Sequence, residues 1–159
     1  MSLNGCKTQR LVLPLSNAHF IWYCAWLSLP SAIYAWFIPR TTTTPPLPLP
    51  IAIVPASVFT TSLLYWRKPL YDSWYRVLDI TTVLSGVTYQ SIYAFQTIRI
   101  TSPNHHFAAY TAGIMLSAAC YVLSNILMSR SRVWPATYAH ASIHIVANIA
   151  NLILYHGNI

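Results

Sequence analysis

The run WPATYAHASIHIVANIANLILYH occupies residues 134–156 and contains no Asp, Glu, Lys or Arg. It is long and apolar enough to cross about 30 Å of hydrocarbon as a helix. At helical spacing His140, His144, Asn148 and Asn151 fall on one polar stripe. Ionisable groups at membrane depth are costly to bury, so they face a protein interior or a watery cavity and mark a site. The other such group expected at membrane depth near them is Asp79.

Working outward, four more stretches can span. The five lie at 18–38, 50–66, 77–98, 107–129 and 134–156, and together they make residues 1–159 a single membrane domain. The fold class is an all-α integral membrane protein, a bundle of five transmembrane helices. Composition agrees, because 7% of the chain is charged, against about a quarter in soluble domains. Six Trp and eleven Tyr, several at segment ends, suit interfacial belts. Pro50 and Pro55 stand in the first turns of the second span, where proline is tolerated. The Thr- and Pro-rich link at 40–50 reads as an extended, polyproline-like spacer.

The formal charge of +7 does not point to nucleic acid, since no basic run is interleaved with aromatics on a polar surface. Cys6, Cys24 and Cys120 offer neither a disulfide framework nor a C-x-x-C thiolate site. Asn17, Asn104 and Asn125 lack the hydroxyl of a glycosylation acceptor. Residues 1–35 have a competing reading as a cleaved signal, with Lys7 and Arg10 before the apolar run and a peptidase-like Ser31–Ala35. The run continues through Trp36, Phe37 and Ile38, which favours a retained helix kinked by Pro30.

Five crossings divide the positive charges seven to two. Lys7, Arg10, Arg67, Lys68, Arg76, Arg130 and Arg132 fall on one side, Arg40 and Arg99 on the other. The N-terminus and both basic loops are therefore expected in the cytoplasm, or in the matrix or stroma of an organelle. In that topology Ser62 and Trp66 end the second span, Asp79 begins the third, and His140 and His144 occupy the first half of the fifth. All five belong to one leaflet, with His140 about 9 Å in from Trp134 and His144 about 6 Å deeper.

Two imidazoles at i and i+4 can hold one metal ion, and a catalytic zinc takes about three protein ligands plus water. Asp79 can then serve as third ligand, as general base, or as the acceptor that fixes a histidine tautomer. Without metal, the same groups join helices by hydrogen bonds, or serve haem, a pigment or proton relay. The spacing alone leaves these open.

The residues Ser62-Leu-Leu-Tyr-Trp66, Arg76-Val-Leu-Asp79-Ile80 and His140-Ala-Ser-Ile-His144 resemble the motifs of the CREST superfamily of membrane hydrolases and receptors, which includes alkaline ceramidases, adiponectin receptors and Per1-like proteins. The resemblance implies zinc on His140 and His144, with Asp79 and Ser62 assisting a bound water as catalytic residues. The family's third histidine falls at Trp66, which cannot ligate metal. The family has seven spans; loss of one helical pair between the third and last would preserve the orientation of the rest. This chain is thus read as a shortened, divergent relative.

Other polar positions read more plainly. His105, His106 and His156 lie at the opposite interface and are expected to be solvated or to neighbour lipid headgroups, and His19 opens the first span within reach of the cluster, with nothing to fix its face. Ser117, Cys120, Ser124 and Asn125 read as a packing face, and Tyr89 and Tyr93, with Gln90 and Gln96 nearby, as a cavity lining or, more simply, as core. Asp72 is expected to pair with Arg67, Lys68 or Arg76, and the basic loops to meet anionic lipid. The function expected is a metal-dependent hydrolase of lipid amides or esters. The alternative is a non-catalytic accessory subunit bound to other membrane-protein subunits, and a third class is a cofactor binder or transporter.

Overall fold

The computed structural model describes residues 10–37, 49–98 and 104–156. Cys6, Lys7, Arg40, Arg99 and residues 40–48 of the link lie outside them. The described residues form helices α1 (Leu15–Ala25), α2 (Ser28–Phe37), α3 (Leu49–Trp66), α4 (Trp74–Tyr93), a π-helical turn at Ala94–Ile98, α5 (Asn104–Ser129) and α6 (Val133–His156). There is no strand among the described residues; one antiparallel bridge pairs Leu11 with Leu70.

The helix expected over 18–38 is broken at Trp26 and Leu27. Pro30 has no N–H to give the Trp26 carbonyl, and its ring crowds that same group. The chain turns instead on tighter i to i−3 bonds, Leu27 N to Cys24 O at 3.0 Å and Leu29 N to Trp26 O at 3.0 Å. The structure thus corrects one kinked helix to two short ones. Elsewhere the ends are built from local chemistry. Ser73 caps α4, its hydroxyl accepting from the Tyr75 N–H at 3.2 Å. The turn from α5 to α6 closes as a Schellman motif, with Arg132 N on Leu127 O at 2.9 Å, Ser131 N on Met128 O at 3.0 Å, and Ser131 at φ 59°.

α5 and α6 form the most extensive helix pair, α3 packs on α4 and α2, and α1 and α2 both rest on α6. Tyr110, Ser117 and Ser124, seven residues apart, are the buried seam of α5. A Cβ on Gly113 would stand 2.8 Å from that of Ala150, so α5 and α6 approach closely there. One core gathers Leu13, Ala18, Ile21, Tyr65 and Trp66 at the basic end. A second gathers Ala35, Ile51, Ala94, Tyr110, Leu154 and Tyr155 at the other.

Three helical stretches, Leu15–Phe37, Leu49–Trp66 and His105–Ser129, are long and apolar enough to cross a membrane. Leu84, Met115, Leu116, Val122 and Leu123 face outward and exposed, as a lipid-facing surface requires. The protein is all-helical and has the character of a membrane-associated chain.

Candidate functional site

α3 ends with Thr61, Ser62, Tyr65 and Trp66 all buried, a face repeating at helical spacing. Opposite it, Asp79 stands in the second turn of α4 and is 8% exposed. Its Oδ1 accepts hydrogen bonds from Ser62 Oγ at 2.7 Å and Thr61 Oγ1 at 3.0 Å. Ser62 and Asp79, assigned to one leaflet from the sequence, are therefore in direct contact. Thr61 was not singled out by the sequence reading; its position beside Ser62 was the available signal.

His140 packs edge-on against Trp66, ring centroids 4.7 Å apart. His140 and His144 follow each other with centroids 6.0 Å apart. The structure thus joins Trp66, His140 and His144 in one ring cluster, and Ser62, Thr61 and Asp79 in one hydrogen-bonded cluster. Four positions after Ser62, the place of the third histidine in the resemblance, an indole lies on the imidazole of His140.

The stripe on α6 divides by function along its length. Asn148 Oδ1 accepts from Ser31 Oγ, and its Nδ2 donates to Ser28 Oγ at 3.0 Å, which fastens α2 to α6. One helix earlier, Asn17 Nδ2 donates to Thr137 Oγ1 at 3.0 Å and fastens α1. Ser28 and Ser31, spaced by three, are the partners the sequence reading did not assign; Ser31 there belonged to the peptidase-like motif. Asn151 is half-buried and takes part in none of these bonds. His144 is buried and its Nε2 has no hydrogen-bond partner. A neutral imidazole has one donor and one acceptor nitrogen, so this atom is free to meet a small polar group.

The zinc that the resemblance implies would need its ligands grouped around one point. Among the described residues no three His, Cys, Asp or Glu side chains group closely enough to hold a metal ion. Two imidazoles are fewer than the about three protein ligands that a catalytic zinc takes. The Trp66 indole has only a donor N–H to offer, and Asp79 is engaged by α3. The described residues thus bring two imidazoles together, with no third ligand grouped beside them.

Polar groups elsewhere are placed as follows. Gln90 Nε2 donates to the Tyr155 hydroxyl at 2.8 Å, joining α4 to α6. Ser124 Oγ donates to the Ala136 carbonyl at 3.0 Å across the α5–α6 seam, whereas Asn125 is exposed and bonds its own helix at Tyr121 O. His19 is exposed. His105 and His156 are exposed and His106 half-buried, and the three rings neighbour one another, His106 4.2 Å from His105 and 6.1 Å from His156 by ring centroids. Arg76, one of the three cations expected to pair with Asp72, has its guanidinium 5.3 Å from the centroid of the Tyr71 ring. The chain matches no protein-family model, no curated protein and no solved structure.

Proposed function

We propose that the chain is a five-span membrane protein acting as a non-catalytic subunit of a larger membrane complex. Its N-terminus and basic loops lie in the cytoplasm, or in the matrix or stroma of an organelle. In this reading the intramembrane His/Asp/Ser cluster fastens helices together. The observation that carries it is the Trp66 indole packed at 4.7 Å on His140. An aromatic wedge there fills with carbon the space in which a third ligand would stand. Asp79 has two hydroxyl donors on one oxygen, and Asn148 is bonded through both ends of its amide. Such bonds are what buried polar side chains in a bundle need.

A second reading, a metal-dependent hydrolase of lipid amides or esters, is favoured by two features. Ser62 is bonded to Asp79 at 2.7 Å, and His144 Nε2 is buried without a partner.

Elemental analysis separates the two. Zinc, iron and magnesium per chain are measured in detergent-purified wild type, His140→Ala/His144→Ala and Trp66→His. The subunit reading expects no metal in the wild type and zinc uptake only when Trp66→His supplies a third imidazole. Near-stoichiometric metal in the wild type, lost in the double alanine variant, would replace it with the hydrolase reading.

A further inference from the structure

Arg10 and Arg76 are 66 positions apart and the fold brings both to one tyrosine. The segment before α1 runs back along the α3–α4 loop, with Val12 N on Pro69 O at 2.9 Å, Tyr71 N on Arg10 O at 3.1 Å, and the Leu11–Leu70 bridge between. That pairing sets the Arg10 guanidinium 5.0 Å from the centroid of the Tyr71 ring, and the Arg76 guanidinium stands 5.3 Å from the same ring. Arg76 also donates to the Tyr71 carbonyl at 3.5 Å and reaches the Tyr65 hydroxyl. Two like charges are thus held on one small aromatic platform by backbone pairing and a buried tyrosine, with neither given to a carboxylate among the described residues.

The surroundings say what would neutralise them. Arg67, Lys68, Arg130 and Arg132 are exposed at this end, where Asp72 is the one exposed acidic residue and Asp79 is buried against α3. Tyr71, Trp74 and Tyr75 are exposed on the rim, Trp74 to 71%. Exposed tyrosine and tryptophan at the ends of apolar helices are the residues of the headgroup layer. Guanidinium forks match phosphate oxygens in pairs, and two of them suit the dianion of a phosphate monoester better than the single charge of a diester.

We propose that Arg10, Tyr71 and Arg76 form a binding site for the phosphate-monoester headgroup of an anionic membrane lipid. The surface position fits a lipid because the site opens at the level of the aromatic rim. The site is separate from the His/Asp/Ser cluster and does not depend on the subunit reading.

The test uses the full chain in detergent, titrated separately with dioctanoyl phosphatidate, dioctanoyl phosphatidylcholine and inorganic phosphate, with the unfolding midpoint followed by Trp fluorescence. Phosphatidate is expected to raise the midpoint saturably and phosphatidylcholine to leave it unchanged. Arg10→Gln and Arg76→Gln should each raise the half-saturating concentration about fivefold, the contribution of one basic residue near a charged lipid surface, while Arg132→Gln stays close to wild type. Equal weakening in Arg132→Gln would reduce the site to diffuse surface charge and overturn the proposal. An equal effect of inorganic phosphate at the same concentration would make the ligand a soluble anion and overturn the lipid assignment. No difference between phosphatidate and phosphatidylcholine would overturn the site altogether. Should Arg76→Gln fail to fold, Arg10→Gln carries the test, since it leaves the Tyr65 and Tyr71 contacts of Arg76 in place.

Discussion

Asp79 keeps one oxygen between two hydroxyls of α3, and that arrangement determines what its neighbours are worth. Removing one hydroxyl leaves the other, so Thr61→Val and Ser62→Ala should each be mild, whereas the double variant leaves a buried carboxyl with neither donor. Coupling between hydrogen-bonded side chains in a membrane bundle averages about 0.6 kcal/mol and reaches about 1.7. A double-mutant cycle of Ser62→Ala with Asp79→Ala, which removes the acceptor, read by detergent unfolding, should therefore return a coupling in that range. A coupling near zero would mean that the 2.7 Å contact does no work in the folded bundle. The common depth of Ser62 and Asp79 is legible in the sequence, because one closes a helix and the other opens the next across a short loop; that the two side chains bond is shown by the fold. The partner of His140 was not legible, since spacing along α6 fixes a face but cannot tell which side chain of another helix fills the gap beside it. Trp66 was read as a missing ligand; in the fold it is the neighbouring ring.

Among elements, the α5–α6 pair depends on the absence of a side chain. The Cβ of Gly113→Ala would lie 2.8 Å from Ala150 Cβ, an atom fixed to the backbone that cannot swing aside, so the helices must separate. Overpacking of this kind costs about 1–3 kcal/mol. The rescue is specific, because with Ala150→Gly added the nearest atom becomes the Ala150-position Cα at 3.6 Å, ordinary contact. Gly113→Ala should unfold at lower detergent concentration than wild type, and Gly113→Ala/Ala150→Gly should recover most of the loss. A double variant as weak as the single one would mean that the pair is not held at this point. The small-residue face on α5 was legible from the spacing of Ser117, Cys120 and Ser124, because packing faces repeat with the helix. The division of the first span into α1 and α2 was not fully legible. Pro30 announces a disturbance in its preceding turn, but whether that turn bends or breaks depends on whether the flanking segments find separate partners. Here Asn17 bonds Thr137 and Ser28 bonds Asn148, one for each half.

At the scale of the molecule the question is how many helices cross. The three stretches apolar enough to do so on composition leave out α4 and α6, which at 1.5 Å per residue are about 30 and 36 Å long and so reach across the hydrocarbon. Part of what lowers their apolarity is buried: Asp79 and Gln90 in α4, and His144 and Asn148 in α6. Among these, Asp79 is bonded to α3, Asn148 to α2, and Gln90 to Tyr155 of α6. Hydropathy averaged around a helix cannot register which face is polar, so it undercounts helices whose polar side is inside. In the five-span arrangement proposed above α4 and α6 also cross, and positions on alternate loops are then expected on opposite sides. In a chain with Cys6, Cys24 and Cys120 replaced by Ala, a membrane-impermeant maleimide should label Asp72→Cys and Ser131→Cys from one side of sealed vesicles, and Thr41→Cys and Gly157→Cys only from the other. If Gly157→Cys reacted together with Ser131→Cys, α6 would not cross, and the leaflet that unites Ser62, Asp79, His140 and His144 would lose its basis. If Thr41→Cys reacted together with Asp72→Cys, the break at Trp26 and Leu27 would be a re-entrant turn, with α1 and α2 dipping into the bilayer and returning to the same side.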